Sequence, residues 1–112
     1  MKLKELIEKL NLELKSTSTA LDADVTHAYS SDILSDVMSH ARDGSIWITL
    51  QTHRNIVSVA MLKSLAGIIL VSGRNPDDET LKKANEENVP ILSTELTTFE
   101  IVGKLYELGI RG

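Results

Sequence analysis

The chain contains no cysteine. That absence excludes disulfides, thiol nucleophiles, cysteine-ligated zinc and cysteine-ligated iron–sulfur centres. It also accords with a reducing interior. Aromatic residues are nearly as scarce: Tyr29, Trp47, Phe99 and Tyr106 are the full set, and they are scattered along the chain. A base-stacking platform needs several aromatics in one group. Positive charge is in deficit, with 12 Lys+Arg against 16 Asp+Glu and a formal net charge of −4. Nucleic-acid binding needs a basic face that displaces counterions from phosphates, so no nucleic-acid partner is expected. A local anion pocket is unaffected by this argument, since one helix N-terminus can suffice. Long apolar runs are also missing. The stretch "LAGIILV" falls far below the roughly 20 residues that span a bilayer. The opening "MKLKELIEKL" is charged and amphipathic, without the apolar core of a secretory signal. The expectation is a cytoplasmic protein with no membrane partner.

What is there is an alternation of helical and strand patterns over 112 residues, the length of one compact domain. Leu3, Leu6, Ile7 and Leu10 recur at helical spacing, which predicts a first helix over 2–10. Residues 11–15 alternate like a short strand whose direction the pattern leaves open. A polar connection, 16–24, leads to a second strand over 25–30. "SDILSDVMSHA" predicts a helix with Ser31 as N-cap. "SIWITLQ", 45–51, is β-branched and aromatic, the pattern of a buried strand. A helix over 53–65 and an apolar strand over 66–71 follow. Asn75 as N-cap, Pro76 in the first turn and the acids Asp77, Asp78 and Glu79 predict the start of another helix. "VPILST" is the last strand. Thr97 and Glu100 have capping-box spacing and open the final helix.

Strand–helix alternation means crossover connections and a mainly parallel sheet. Strands apolar on both faces are covered on both. The expected fold is therefore α/β, a three-layer α/β/α domain with about five strands, occupying 1–112 as one domain. Ligands in such folds bind beyond the carboxyl ends of the strands. "THAYSS", "QTHRN", "SGRNPD" and "STELT" are expected to gather there.

"QTHRN" offers Thr52, His53 and the fixed charge of Arg54 beside a helix start, a candidate anion or nucleotide contact. The plainer reading is a capped helix with a solvated arginine. Gly73 and Arg74 follow a buried strand, and glycine permits close ligand approach. No G-x-G-x-x-G and no G-x-x-x-x-G-K-[ST] is present, and three acids in the next helical turn oppose a phosphate there. His27 and His53 follow two predicted strands. With Asp32 they would make a metal set only if they converged, and the close His spacings of known motifs are missing. His40 sits near a helix C-terminus, where the dipole favours it. Thr26, Ser30 and Ser31 would need an adjacent base and an orienting third group to act as nucleophiles; no serine sits in G-x-S-x-G, and hydroxyls beside a helix start are far more often caps. The expectation is no enzyme, no cofactor and no metal.

The order of elements and the segments "VTHAYSSDILSDVM", "IWITLQTHRNIVSVAMLKSLAGIILVSGRNPDDET" and "VPILSTELTTFEIVGKLYELGI" resemble the DRTGG domain family over nearly the whole chain. The resemblance is to small stand-alone members encoded near iron-only hydrogenases in anaerobic bacteria. Related domains stand beside CBS domains in regulated pyrophosphatases and within phosphotransacetylase chains. The N-terminal domain of HPr kinase/phosphorylase is similar in fold. The name-giving motif falls on Asp24-Val25-Thr26-His27-Ala28. Asp24 and Thr26 match, Val25 stands for the family's Arg, and His27 and Ala28 stand for its two glycines. The resemblance implies a non-catalytic regulatory or interaction module, a homodimer, and a partner protein in a hydrogenase or redox system. The kinase relatives carry their phosphate loop in a separate domain, so kinase activity does not carry over. The alternative expectation is a sensor for an adenine nucleotide or other anion. Its candidate residues are Thr26, His27, Thr52, His53, Arg54, Gly73 and Arg74.

Overall fold

The computed structural model describes all residues, 1–112. The chain runs α1 (Leu3–Lys9), β1 (Glu13–Leu14), a 3₁₀ turn (Ala20–Asp22), β2 (His27–Ser30), α2 (Leu34–His40), β3 (Ser45–Thr49), α3 (Asn55–Leu62), β4 (Gly67–Leu70), α4 (Asp78–Glu87), β5 (Ile91–Ser93) and α5 (Thr98–Glu107). The strands form one sheet in the order β1-β5-β4-β3-β2. The four strands β2 to β5 are parallel. The short first strand is antiparallel, with Glu13 opposite Ser93 and Leu14 opposite Leu92.

The period of two along each strand divides the core. Ile46 and Ile48 of β3 and Ile69 of β4 point to one face, where they meet Leu3, Leu6, Ile101 and Leu105 from α1 and α5. Trp47 of β3 and Ile68 and Leu70 of β4 point to the other, against Val37, Ile56, Val57, Ala60 and Ala84 from α2, α3 and α4. Side chains of adjacent strand residues leave opposite faces of the pleat, so the central strands are buried on both sides. The result is the expected three-layer α/β/α arrangement.

The placement of the helices follows from connectivity. Strands β2 to β5 run across the sheet in chain order. Crossovers of one hand therefore put α2, α3 and α4 on one face. α5 follows the last strand, is bound by no further crossover, and returns over β2 and β3 on the opposite face.

Two predicted caps move. α2 begins at Leu34 with Ile33 as N-cap. Ser31 instead closes a tight turn, its Oγ accepting from the Ile33 N–H at 3.2 Å, because Asp32 is turned away to bind β3. α4 begins at Asp78 with Asp77, not Asn75, as N-cap. The tertiary anchor decides this: the Asp77 N–H and the Thr80 hydroxyl both donate to the Thr52 carbonyl, at 3.2 and 2.6 Å. The Thr97–Glu100 capping box forms as its spacing predicts. β3 ends at Thr49, short of Gln51, whose N–H folds back to Thr49 Oγ1 at 3.1 Å.

Candidate functional site

The carboxyl edge of the parallel strands is built from the segments that follow β2, β3, β4 and β5. After β2 the chain presents Asp32. Its Oδ1 accepts from the Thr49 hydroxyl and from the Leu50 N–H, each at 2.8 Å. The Asp32 carbonyl accepts from Gln51 Nε2 at 2.9 Å, and the Ser31 carbonyl from Trp47 Nε1 at 2.8 Å. Asp32 is thus a clamp between the β2 and β3 loops rather than a free ligand.

Adjacent strands whose loops leave for opposite faces mark the crevice where open α/β sheets bind ligands. Here that place is between β4 and β5, since α4 and α5 lie on opposite faces. The crevice is stitched shut. The Ser72 N–H donates to the Leu96 carbonyl at 2.8 Å and the Gly73 N–H to the Thr94 carbonyl at 2.9 Å. Ser72 and Gly73 have φ of 56° and 71°, and the Arg74 N–H closes onto Val71 O at 3.1 Å, the geometry of a type I′ turn. A Cβ on Gly73 would stand 2.7 Å from Glu95 Oε2. The backbone donors that would cradle an anion at Gly73 are therefore already engaged.

Thr52, His53 and Arg54 lie beside this closed crevice, at the start of α3. His53 and Arg54, with Asn55, Asp77, Asp78, Glu79 and Thr80, line an open cleft of about 360 Å³ between the N-termini of α3 and α4, while the Thr52 side chain is not part of its lining. His53 Nδ1 is 3.3 Å from Asp77 Oδ2, with 77% of the imidazole exposed. A contact this exposed contributes little. Arg54 makes no ion pair and also borders the polar groove that continues along α3 and α4 past Ser58 and Lys83. Lys83 Nζ donates to the Ser58 hydroxyl. Asn55, Ser58 and Lys83 were not among the residues expected from the sequence. Asn55 and Ser58 share a helix face with Arg54, which is the signal that would have found them.

Thr26 and His27 are elsewhere. His27 begins β2 and is in register with Ser45, the first residue of β3. Both therefore stand at the amino edge of the parallel strands, across the sheet from His53. His27 and His53 do not converge, and "TH" does not join the carboxyl-edge loops. The physical reason is that β2 starts at His27 rather than ending near it. Thr26 Oγ1 donates to the Asp43 carbonyl at 3.3 Å and lies 3.0 Å from His27 Nδ1. It also fills the space beside Gly44, whose φ is 80° and where a Cβ would sit 2.6 Å from that hydroxyl. Asp24 pairs with Lys2 at 3.2 Å. Val25 is buried in the α1/α5 core. No three His, Asp or Glu side chains gather as a metal set.

Exposed apolar side chains include Ile33 before α2, Met61 and Leu62 on α3, and a set on α5. Phe99, Val102 and Tyr106 stand out from α5 with 90%, 37% and 59% of their surface exposed.

The DRTGG domain family matches residues 5–108, and the chain belongs to that family. No curated protein matches it. Among solved structures it is similar to the CBS and DRTGG domains of the regulatory region of Clostridium perfringens pyrophosphatase, complexed with the activator diadenosine tetraphosphate. The TM-score is 0.71 at 15% identity, over 88% of this chain and 43% of that one. The likeness confirms the fold, and the chain spans less than half the length of that neighbour.

Proposed function

We propose that this chain is a cytoplasmic, non-catalytic regulatory module. It self-associates as a homodimer and contacts a partner enzyme of a hydrogenase-linked or other redox system. The observation that carries the reading is what remains free at the surface. The polar groups at the strand ends bind each other, as Asp32 binds Thr49 and Leu50. Phe99 of α5 is almost fully exposed, and Tyr106 and Val102 beside it are partly so. An exposed apolar group of this kind marks an interaction surface. A hydroxyl nucleophile needs a neighbouring base and a third group to orient it; Thr26 lies 3.0 Å from the His27 imidazole, but its hydroxyl donates to the Asp43 carbonyl and no hydrogen bond orients the other ring nitrogen. The redox setting rests on the resemblance to stand-alone family members, and the regulatory role on the neighbour's regulatory region. Sedimentation equilibrium tests the self-association, with a dimer expected in the micromolar range. A monomer at high micromolar concentration would overturn it.

Ligand sensing is the second reading, favoured by Arg54, a fixed charge without a carboxylate partner in the cleft between α3 and α4. The neighbour's regulatory region is complexed with diadenosine tetraphosphate, so that compound heads the panel. Calorimetric titration with it and with adenine and guanine nucleotides, with and without Mg²⁺, decides the matter. Micromolar binding lost in Arg54→Ala supports a sensor. Flat titrations remove this reading.

A further inference from the structure

α5 holds a glycine for which the single chain supplies no reason. Gly103 lies in the middle of the helix and faces solvent. A Cβ built on it meets no neighbouring atom within 4 Å. Glycine inside a helix is destabilising relative to alanine, and nothing in this fold offsets that cost. Its surroundings suggest what does. Val102 is adjacent, and Phe99 and Tyr106 lie three residues to either side of the Val102–Gly103 pair. Positions 99, 102, 103 and 106 fall on one helix face.

That stripe is symmetric about its own midpoint. If a second α5 is laid antiparallel with the midpoints superposed, Phe99 comes level with the partner helix's tyrosine, and Val102 comes level with its glycine. Each valine would fill the space that the missing side chain leaves. Small residues let two helix backbones approach closely, and isologous contact requires this kind of self-complementary patch.

We propose that α5 packs antiparallel against α5 of a second copy across a two-fold axis, with Val102 seated on the opposing glycine and Phe99 against the opposing tyrosine. The proposal rests on the self-association reading above and adds its surface. Size supports a second copy as the occupant. With aromatic side chains offering about 150–250 Å² each, these exposures leave on the order of 350 Å² of apolar surface per chain. Two chains then supply about 700 Å², the apolar share of a small stable interface of about 1,200 Å². Arg111 lies over the Tyr106 ring at 3.7 Å, which holds that ring in place before any partner arrives.

The lack of cysteine makes the test direct. The single variant Val102→Cys keeps Phe99 and Tyr106, sets its thiol next to that of the second copy beside the two-fold axis, and should give a discrete covalent dimer under mild oxidation. With one cysteine per chain any bridge is between chains. Leu62→Cys, on α3 and more solvent-exposed than Val102, is the control. Cross-linking no faster than this control would overturn the proposal. Gly103→Leu should keep the monomer folded, with a higher melting temperature at low concentration, yet weaken the dimer at least tenfold in sedimentation. A dimer of unchanged affinity in this variant would overturn the α5 surface and leave self-association standing. A wild-type monomer would overturn both.

Discussion

The Arg111 guanidinium lies 3.7 Å above the Tyr106 ring, and its Nη1 donates to the Tyr106 carbonyl at 2.7 Å. One arginine thereby ties the last residues to the end of α5. The same segment covers the start of edge strand β2, where the Ala28 N–H donates to the Arg111 carbonyl at 2.9 Å. Edge strands left open invite pairing with other chains. Arg111→Ala is expected to lower stability by about 1 kcal/mol. It should also speed amide exchange at Ala28 more than at Ile48. Urea melts and hydrogen exchange measure the two effects.

Asp32 fastens the β2 loop to the end of β3 through two hydrogen bonds from Thr49 and Leu50. Hydrogen bonds to a charged acceptor contribute a net of about 1.5–3 kcal/mol each, toward the low end where, as at Asp32, the acceptor is exposed to water. Asp32→Ala should therefore destabilise by about 2–3 kcal/mol. Asp32→Asn keeps one acceptor oxygen and should cost less. Chemical denaturation of the two variants gives the comparison. Equal stability of Asp32→Ala and wild type would remove the clamp.

Asp36 should shape the pH dependence of stability. Hydrogen bonds from the Ser31 and Tyr29 hydroxyls, and then the His40 imidazole, hold its carboxyl below the usual aspartate range. The same contact raises the Tyr29 phenol, whose hydroxyl donates to Asp36 Oδ2 at 2.8 Å. A depressed carboxyl contributes stability above its unfolded value of about 3.9 and loses it as pH falls through the lower folded value. A raised phenol contributes below about pH 10 and loses its share as pH climbs through the raised value. The stability gap between wild type and Asp36→Asn should accordingly be widest between these limits and narrow on either side. Denaturant midpoints measured from pH 3 to 11 would show it. A gap constant with pH would refute the assignment.

The turn after β4 offers a pair of opposite predictions. Ser72 sits at φ 56°, a left-handed conformation that penalises any side chain with a Cβ. Ser72→Gly should stabilise by about 0.5–1 kcal/mol. Gly73→Ala should destabilise by more than about 1 kcal/mol, because its φ is 71° and the new Cβ would meet Glu95 Oε2 at 2.7 Å. Thermal melts of both variants check the signs.

Much of the architecture was legible because it is local. Leu3 and Leu6 announce α1 by spacing alone. Ile46, Trp47 and Ile48 announce a strand buried on both faces. Thr97 and Glu100 form their capping box within four residues of chain, so no distant contact can move it. The caps that moved are those with a tertiary partner. Asp77 replaced Asn75 because the Thr52 carbonyl lies in reach of Asp77 and Thr80. Ser31 lost its role because Asp32 found Thr49.

The candidate site was legible only in part. Thr52, His53 and Arg54 stand at the carboxyl edge as their position after a strong strand implies. Thr26 and His27 do not, because they stand at the beginning of the strand read over 25–30 and not beyond its carboxyl end. Register with Ser45 settles it, and register is a property of two segments. The exposure of Phe99 and Tyr106 was equally hidden: an apolar stripe on a helix normally faces the core, and α5 has two such faces, of which Ile101 and Leu105 took the buried one.

The sequence by itself determined the class of fold, the number of layers and the parallel majority of the sheet, because hydrophobic period and crossover connectivity are carried by neighbours in the chain. Only the tertiary structure decided which edge holds each histidine, that the β4–β5 crevice is closed, and that α5 turns an uncovered apolar stripe outward. Those outcomes depend on hydrogen bonds and packing between segments far apart in sequence, as when the Gly73 N–H reaches the Thr94 carbonyl, and no local pattern encodes them.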